Sequence, residues 1–250
     1  MWVRSDTRRP LTLLIVALSV LAWLALWLWG QSPYGRFLSH HNLDAIRGNG
    51  ALALVFIAGW AVMVVAMMLP TSLPLITMFQ AFTRQRPDHA QLAALLLAGY
   101  LEVWVLFGIL VYGGDWALHQ AIRQSAWFAS NAWMLGALTL ILAGVYQFTP
   151  LKYYCLDKCR SPLNFILGHW HGRDEARQAF ALGIHHGLFC VGCCWSLMLL
   201  MFAVGVGSLG WMLVLGVVMA IEKNLPWGRR LSAPLGVVLL AWGVLVLLSQ

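Results

Sequence analysis

The sequence predicts an all-α, polytopic membrane protein: a transmembrane helical bundle of about seven spans with its N-terminus inside. Of the 250 residues, 61% are hydrophobic and only 10% are charged, whereas about a quarter of a soluble domain is charged. The fourteen tryptophans fit aromatic belts at two membrane interfaces. The formal charge of +7 comes without a dense basic run, so we expect the lipid bilayer as a partner and no nucleic acid.

The first predicted span is residues 11–29, which follow Arg4, Arg8 and Arg9. The run is about long enough to cross a hydrocarbon core of roughly 30 Å. A cleaved signal peptide is the alternative. It is disfavoured because the run is long, carries tryptophan at its far end and lacks a small-x-small cleavage site.

The second predicted span, residues 52–82, is too long to be one straight crossing. Pro70 and Pro74 each remove a backbone donor, so we predict a kink or a broken helix there. Such breaks are tolerated in a membrane only where protein or a cavity satisfies the freed carbonyls. Met67 and Met68 stand beside the break, and we expect them to face the fifth span.

The remaining predicted spans complete one integral membrane domain over residues 1–250. They are about 92–112, 133–149, 179–206, 209–221 and 235–248. With the N-terminus inside, only Arg36, Arg47 and Arg123 of the sixteen basic residues fall outside, as the positive-inside rule requires. The polar stretch 152–183 is then an inside loop.

The fifth span carries the strongest chemical signal, three cysteines within five residues. On a helix, His186, Cys190, Cys193, Cys194 and Met201 fall on one side. Thiolate, thioether and imidazole together select Cu(I), with Zn(II) as the competitor. The alternative is that these cysteines only pack the core. The predicted metal ligands are His186, Cys190, Cys193, Cys194, Met198 and Met201, with Met67 and Met68 facing them.

Charge sets a condition on this metal site. A bare thiolate in lipid is expensive, and a bound cation offsets that cost. Three thiolates around one Cu(I) would still carry net negative charge. We therefore expect some thiols to stay protonated or neighbouring groups to compensate.

A secondary set of metal candidates lies on the predicted cytoplasmic side. The C-x3-C pair is a weak motif, and its two thiols with nearby histidines could receive metal on its way to or from the membrane. Ordinary reduced thiols and loop histidines are the alternative. The members of this set are Cys155, Cys159, His169, His171 and His185.

Two acidic residues lie within or at the ends of predicted spans. Glu102 is near the middle of the third span, where a carboxylate is a functional candidate by default. A structural hydrogen bond to a neighbouring span is the alternative. Glu222 stands at an inside boundary beside Lys223, so an interfacial position explains it as well as a functional role does.

An ordered series of short motifs resembles a bacterial family of predicted metal-binding integral membrane proteins, a domain of unknown function labelled copper-chaperone-like. The resemblance covers about Trp60 to Gly243, and it implies a multi-pass protein of the bacterial inner (cytoplasmic) membrane that binds copper. The motifs are Met67-Met68-Leu69-Pro70, Tyr146-Gln147, Thr149-Pro150-Leu151-Lys152, Cys155, Cys159-Arg160-Ser161-Pro162, Gly187, Cys190, Gly192-Cys193-Cys194-Trp195 and Glu222-Lys223.

The leading functional hypothesis is copper binding and delivery to, or loading of, a cuproprotein, with a metal donor or acceptor protein as partner. One alternative is a membrane thiol oxidoreductase that cycles vicinal cysteines with a quinone. It is disfavoured because Cys193 and Cys194 are adjacent on a helix, which is poor geometry for a disulfide. The other alternative is a structural membrane subunit. No catalytic residue is assigned.

Overall fold

The fold is all-α, as the sequence predicts. The computed structural model describes residues 8–31, 50–124, 131, 133–171, 174–204 and 209–249. Within these ranges the chain forms ten α-helices and one short 3-10 helix, Gly228–Leu231, and no strand. The α-helices are α1 Arg8–Gln31, α2 Gly50–Thr71, α3 Leu73–Thr83, α4 His89–Gln124, α5 Trp133–Tyr146, α6 Pro150–Arg160, α7 Pro162–His169, α8 Glu175–Val204, α9 Leu209–Asn224 and α10 Ser232–Leu248.

Each predicted span falls mainly on helix within the described residues, but not every helix is long enough to cross a membrane by itself. Five apolar segments in the described ranges are long enough, and the bent pair α5–α6 makes a sixth if it is one broken span. Helix α9 has 16 residues. The long apolar helices are compatible with a membrane protein. The count of seven spans and the inside N-terminus stay predictions, and Arg36 and Arg47 lie outside the described residues.

The predicted break in the second apolar segment falls at Ser72, between α2 and α3. Pro70 lies inside α2 and has no backbone N–H, so the carbonyl of Ala66 loses its helical donor. That carbonyl instead accepts hydrogen bonds from Ser19 Oγ at 2.9 Å and Trp23 Nε1 at 3.2 Å, both on α1. Helix α1 therefore supplies the polar partners that a broken helix in an apolar environment needs.

The polar stretch 152–183, predicted as an inside connection between spans, is largely helical, since α6, α7 and the first turns of α8 lie in it. Thr149 and Pro150 begin α6 in the way such pairs begin helices: the Thr149 hydroxyl accepts the Lys152 backbone N–H at 3.3 Å, and Pro150 needs no donor. Helix α6 bends 64° away from α5 and packs against α8. Its C-x3-C pair therefore lies on a helix beside the cysteine helix.

Helices α4 and α8 approach each other until their backbones touch. A Cβ atom on Gly99 would lie 2.3 Å from the Phe180 carbonyl oxygen, and one on Gly183 would lie 2.1 Å from the Leu96 carbonyl oxygen. Small residues permit such contact between apolar helices. This contact fixes the position of α8, which carries the three clustered cysteines.

Outside the apolar segments, Arg86 joins the turn between α3 and α4 to the start of α8. Its Nε donates to Asp88 Oδ1 at 3.0 Å, and its guanidinium also pairs with Glu175. The hydrogen bond from Arg86 lowers the pKa of the Asp88 carboxyl, and the same bond raises the pKa of Arg86. This link fastens α8 at the end away from its cysteines.

Candidate metal centre

The three cysteines of α8 are buried in the largest apolar cluster of the described residues. Cys190, Cys193 and Cys194 are each at most 2% exposed. Met198 and Met201 continue on the next turns of α8 and are equally buried. The sequence pattern thus predicts the environment of these side chains. Their role as metal ligands stays a prediction.

Two of these thiols bond to the backbone of their own helix. Cys193 Sγ donates to the Cys190 carbonyl at 3.1 Å, and Cys194 Sγ donates to the same carbonyl at 2.9 Å. Cys193 Sγ also interacts with the thiols of Cys190 and Cys194. The sulfur atoms therefore form one connected group on the inner side of α8.

Met68 is the methionine of α2 that reaches this group. Its Sδ lies 3.9 Å from Cys194 Sγ. Met67 is also buried, but it packs against α9, where its Cε lies 3.0 Å from the point that a Cβ on Gly216 would occupy. Consecutive helical residues point about 100° apart, so only one of the pair can face α8.

Lys223, which the sequence interpretation passed over, points into the thiol group from the last turn of α9. Its Nζ lies 2.9 Å from Cys190 Sγ, 3.7 Å from Met68 Sδ and 3.4 Å from Thr71 Oγ1. The side chain is buried, and no ion pair joins it to a carboxylate of the described chain. An amine that can carry a positive charge therefore lies against the sulfur atoms.

The sequence contained a signal that Lys223 has a partner on another helix. Glu222 and Lys223 are neighbours near the end of an apolar helix, and helical neighbours do not face each other. They could not neutralise one another, so each needed a partner on another helix.

Tyr100, Ser72 and His186 form the wall beside Cys190. The Tyr100 hydroxyl lies 3.2 Å from Cys190 Sγ and 3.3 Å from the Met68 carbonyl oxygen. His186 Nε2 lies 3.1 Å from Ser72 Oγ, and its ring stacks on Tyr100. His186 Nδ1 is buried without a hydrogen-bond partner among the described atoms. One ring nitrogen of a predicted ligand thus has unused bonding capacity.

Helix α6 brings the other two cysteines to the same place. Cys155 Sγ packs against α8 at Gly192, 2.6 Å from the point a Cβ there would occupy. Cys159 packs against the apolar cluster that holds the α8 cysteines and interacts electrostatically with Cys193. The two cysteines of the secondary set therefore lie beside the thiol group of α8.

The histidines of that secondary set lie elsewhere. The ring of His169 on α7 is 4.9 Å from the ring of His185 on α8, measured between centroids, and Phe165 packs between His169 and His186. His171 is exposed, and its backbone N–H donates to Gln178 Oε1 at 2.8 Å. The rings of His169 and His185 therefore form a pair apart from the thiol contacts, and no ring contact within the described residues joins the exposed His171 to it.

The two predicted acids differ in environment. Glu102 is exposed on the outer side of α4. Glu222 is buried, with its carboxylate oxygens 2.8 and 3.0 Å from Lys152 Nζ and 2.6 Å from Ser232 Oγ. Gln147 also accepts from Lys152. Glu222 is therefore not at an exposed boundary; it ties α6 and α10 to α9.

The donor chemistry of the group suits a soft monovalent ion. It contains thiols, a thioether sulfur and an imidazole, which together select Cu(I). Within the described ranges, no three or more His, Cys, Asp and Glu side chains converge on a point that a metal ion could occupy. Binding therefore requires Cys193 and Cys194 to turn from the Cys190 carbonyl towards the ion.

The model of a family described as PpoB2, copper chaperone, matches residues 57–246. This range agrees with the extent of the resemblance drawn from the motifs and includes every residue of the thiol group. No curated protein and no solved structure matches the chain.

Proposed function

The chain belongs to this copper chaperone family, and from that premise we propose that it holds Cu(I) among buried sulfur atoms in the bacterial inner membrane and delivers it to a cuproprotein. The ligands would be Cys190, Cys193 and Cys194 with Met68, and His186 Nδ1 or a methionine of α8 would complete the site. Seven spans with the N-terminus inside remain part of the proposal, as does a partner protein that gives or takes the metal.

The observation that carries the proposal is the position of Lys223 against the sulfur group. Two thiolates around one Cu(I) leave one negative charge, and the Lys223 ammonium, 2.9 Å from Cys190 Sγ, supplies the opposite charge. The assembly of ion, two thiolates and ammonium is neutral, as a site enclosed in apolar side chains requires. This arrangement supplies the compensating group that the sequence argument called for.

A purely structural role accounts poorly for the same residues. A buried ammonium without a carboxylate is costly, and packing alone would favour an apolar side chain at that position. The free-energy cost of burying the ammonium falls when anionic thiolates lie beside it. A bound soft cation keeps cysteines deprotonated in such surroundings.

The experiment is a metal analysis of the reduced protein purified from copper-replete cells. We expect copper in the wild type and loss of most of it when Cys190, Cys193 and Cys194 are together replaced by serine, because serine keeps the shape and removes the soft donor. Cys155→Ser is the matched control, since it changes a buried thiol of α6 outside the proposed ligand set.

Retention of copper by the triple serine variant would contradict the proposal. A wild type without copper would contradict it as well. If that protein instead carried thiols whose oxidation followed the redox state of added quinone, the oxidoreductase alternative would replace it.

A further inference from the structure

Building on the proposed function, we propose that Cys159 is the thiol through which copper enters the buried group, and that the ion passes from Cys159 to Cys193 by exchange of one sulfur ligand for another. Cys193 then shares the ion with its neighbours on α8. The proposal states the order in which the copper ion binds the clustered thiols.

Exposure distinguishes Cys159 from the other cysteines. All five cysteines of the chain are described and free, and four of them are buried, whereas Cys159 is only partly buried. Of the five thiols, Cys159 is therefore the one that a donor molecule could approach with the least movement of the protein. Cys155, one turn earlier on the same helix, is covered by its contact with Gly192.

Contact connects Cys159 with the interior. Cys159 packs against the apolar cluster that contains Cys190, Cys193 and Cys194. Among these thiols, Cys193 is the one whose electrostatic interaction with Cys159 is strongest, and it also interacts with Cys190 and Cys194. An ion moving between these positions would always have a sulfur ligand within reach.

Helix α6 is held firmly where this contact is made. The Arg160 guanidinium, next to Cys159, donates to the Glu222 carbonyl and, at 2.9 Å, to the Pro226 carbonyl. At the other end of α6, Lys152 pairs with the Glu222 carboxylate. Both anchors lead to the end of α9, so Cys159 keeps its place relative to the site that Lys223 also enters.

The transfer step balances without any oxidant. As the bond from Cu(I) to Cys193 sulfur forms, the bond from Cu(I) to Cys159 sulfur breaks, and the proton of the Cys193 thiol moves to the Cys159 sulfur. Copper remains Cu(I) throughout, and the number of thiolates is unchanged. The same exchange, with a thiolate of the donor in place of Cys159, describes the preceding step.

The surface imidazoles are the competing entrance. His169 and His185 lie close together at the surface, but the described contacts of that pair lead to Phe165 rather than to a thiol. An ion bound there would have no adjacent sulfur ligand. The test therefore compares the two entrances directly.

The first measurement is the rate of copper uptake by reduced, metal-free full-length protein in detergent, with Cu(I) supplied as its coloured bicinchoninate complex. For Cys159→Ser we expect uptake to slow about tenfold or more, the scale on which changes beside a metal ligand act. Copper bound per chain after long incubation should equal that of the wild type. Cys155→Ser and His169→Gln should keep the wild-type rate.

The second measurement uses the wild type and does not depend on any variant folding. After loading with one copper per chain, N-ethylmaleimide should still alkylate Cys159, because the ion has moved inward, whereas the three α8 cysteines should be protected.

Four results would overturn the entry route alone: an unchanged uptake rate in Cys159→Ser, equal slowing by Cys155→Ser, slowing by His169→Gln only, or full protection of Cys159 at one copper per chain. A wild type that takes up no copper at equilibrium would overturn the proposed function together with the route.

Discussion

Two buried lysines lie near the end of α9, and their surroundings are opposite. Lys152 faces the Glu222 carboxylate at 2.8 Å and also bonds to Gln147, so its charge is matched. Within the described part of the chain, Lys223 Nζ contacts Cys190 Sγ, Met68 Sδ and the Thr71 hydroxyl, and Tyr100 lies nearby. One ammonium is part of a closed salt bridge, and the other is directed at groups that are neutral until they lose protons.

The difference separates a structural region from a functional one. A matched buried pair holds helices together, and it is strongly destabilising to break because one charge is left alone. A buried cation among neutral soft groups destabilises the fold and is useful only when negative charge arrives or forms beside it. Substitutions at and around the two lysines test whether Lys152 is structural and Lys223 functional.

Lys152→Met should reduce the free energy of unfolding by about 3–5 kcal/mol, because it leaves the Glu222 carboxylate buried without its cation. Denaturant unfolding in detergent measures this loss. The double variant Lys152→Met/Glu222→Met should recover most of the stability, and folded protein of either variant should bind copper as the wild type does. A stable single variant that has lost its copper would place Lys152 in the functional region instead.

Lys223→Met should weaken copper binding and should not reduce the free energy of unfolding. We expect the affinity for Cu(I) to fall about 10–100-fold, as when a group that supports a metal ligand is removed, while the free energy of unfolding stays level or rises. Competition against a Cu(I) chelator gives the affinity. Lys223→Arg keeps the charge and should retain most of the binding. If Lys223→Met instead unfolded as readily as Lys152→Met, the two lysines would be equivalent and the division would be wrong.

Met68→Leu should lower Cu(I) affinity about tenfold, or about 1.4 kcal/mol, since it removes the thioether 3.9 Å from Cys194 Sγ. Its neighbour provides the control: Met67→Leu changes a methionine that packs on Gly216 and should leave affinity unaltered. Both swaps nearly conserve volume, so stability should change little. An equal loss in the two variants would show that packing, not sulfur, is responsible.

Glu102→Gln should have the smallest effect. The side chain is exposed on α4 and makes no contact with the thiol group, so copper affinity should not change and the free energy of unfolding should shift by no more than about 0.5 kcal/mol. Chelator competition and detergent unfolding check both quantities. Loss of copper on this substitution would restore Glu102 as an intramembrane functional acid.

The apolar runs and the prolines predicted most of the helical framework. The length of each apolar run predicts a long helix. Pro70 predicts the break after α2, because its missing N–H removes a helical hydrogen bond in any fold. The stripe of cysteines on α8 was also readable, since it depends only on helical period. These features are local, and local rules suffice for them.

The remaining parts of the site depend on contacts between helices that are distant in sequence. Nothing in a C-x3-C spacing indicates that α6 folds back onto α8, so Cys155 and Cys159 were assigned to a separate loop site. The choice between Met67 and Met68 depends on the rotation of α2 about its axis. Lys223 was readable only by asking where each member of an adjacent Glu-Lys pair finds its partner.

The backbone contact between α4 and α8 has a consequence for how the protein can move. Gly99 and Gly183 bring the backbones of α4 and α8 into close contact. The two helices therefore form a rigid pair, and neither can rotate or slide without a steric clash. Under the proposed function, a movement that admits or releases a metal ion would take place on the opposite side of α8, where α2, α6 and α9 contact it. A cross-link between α8 and α2, α6 or α9 should therefore stop copper uptake and release. A cross-link between α4 and α8 should leave both unchanged.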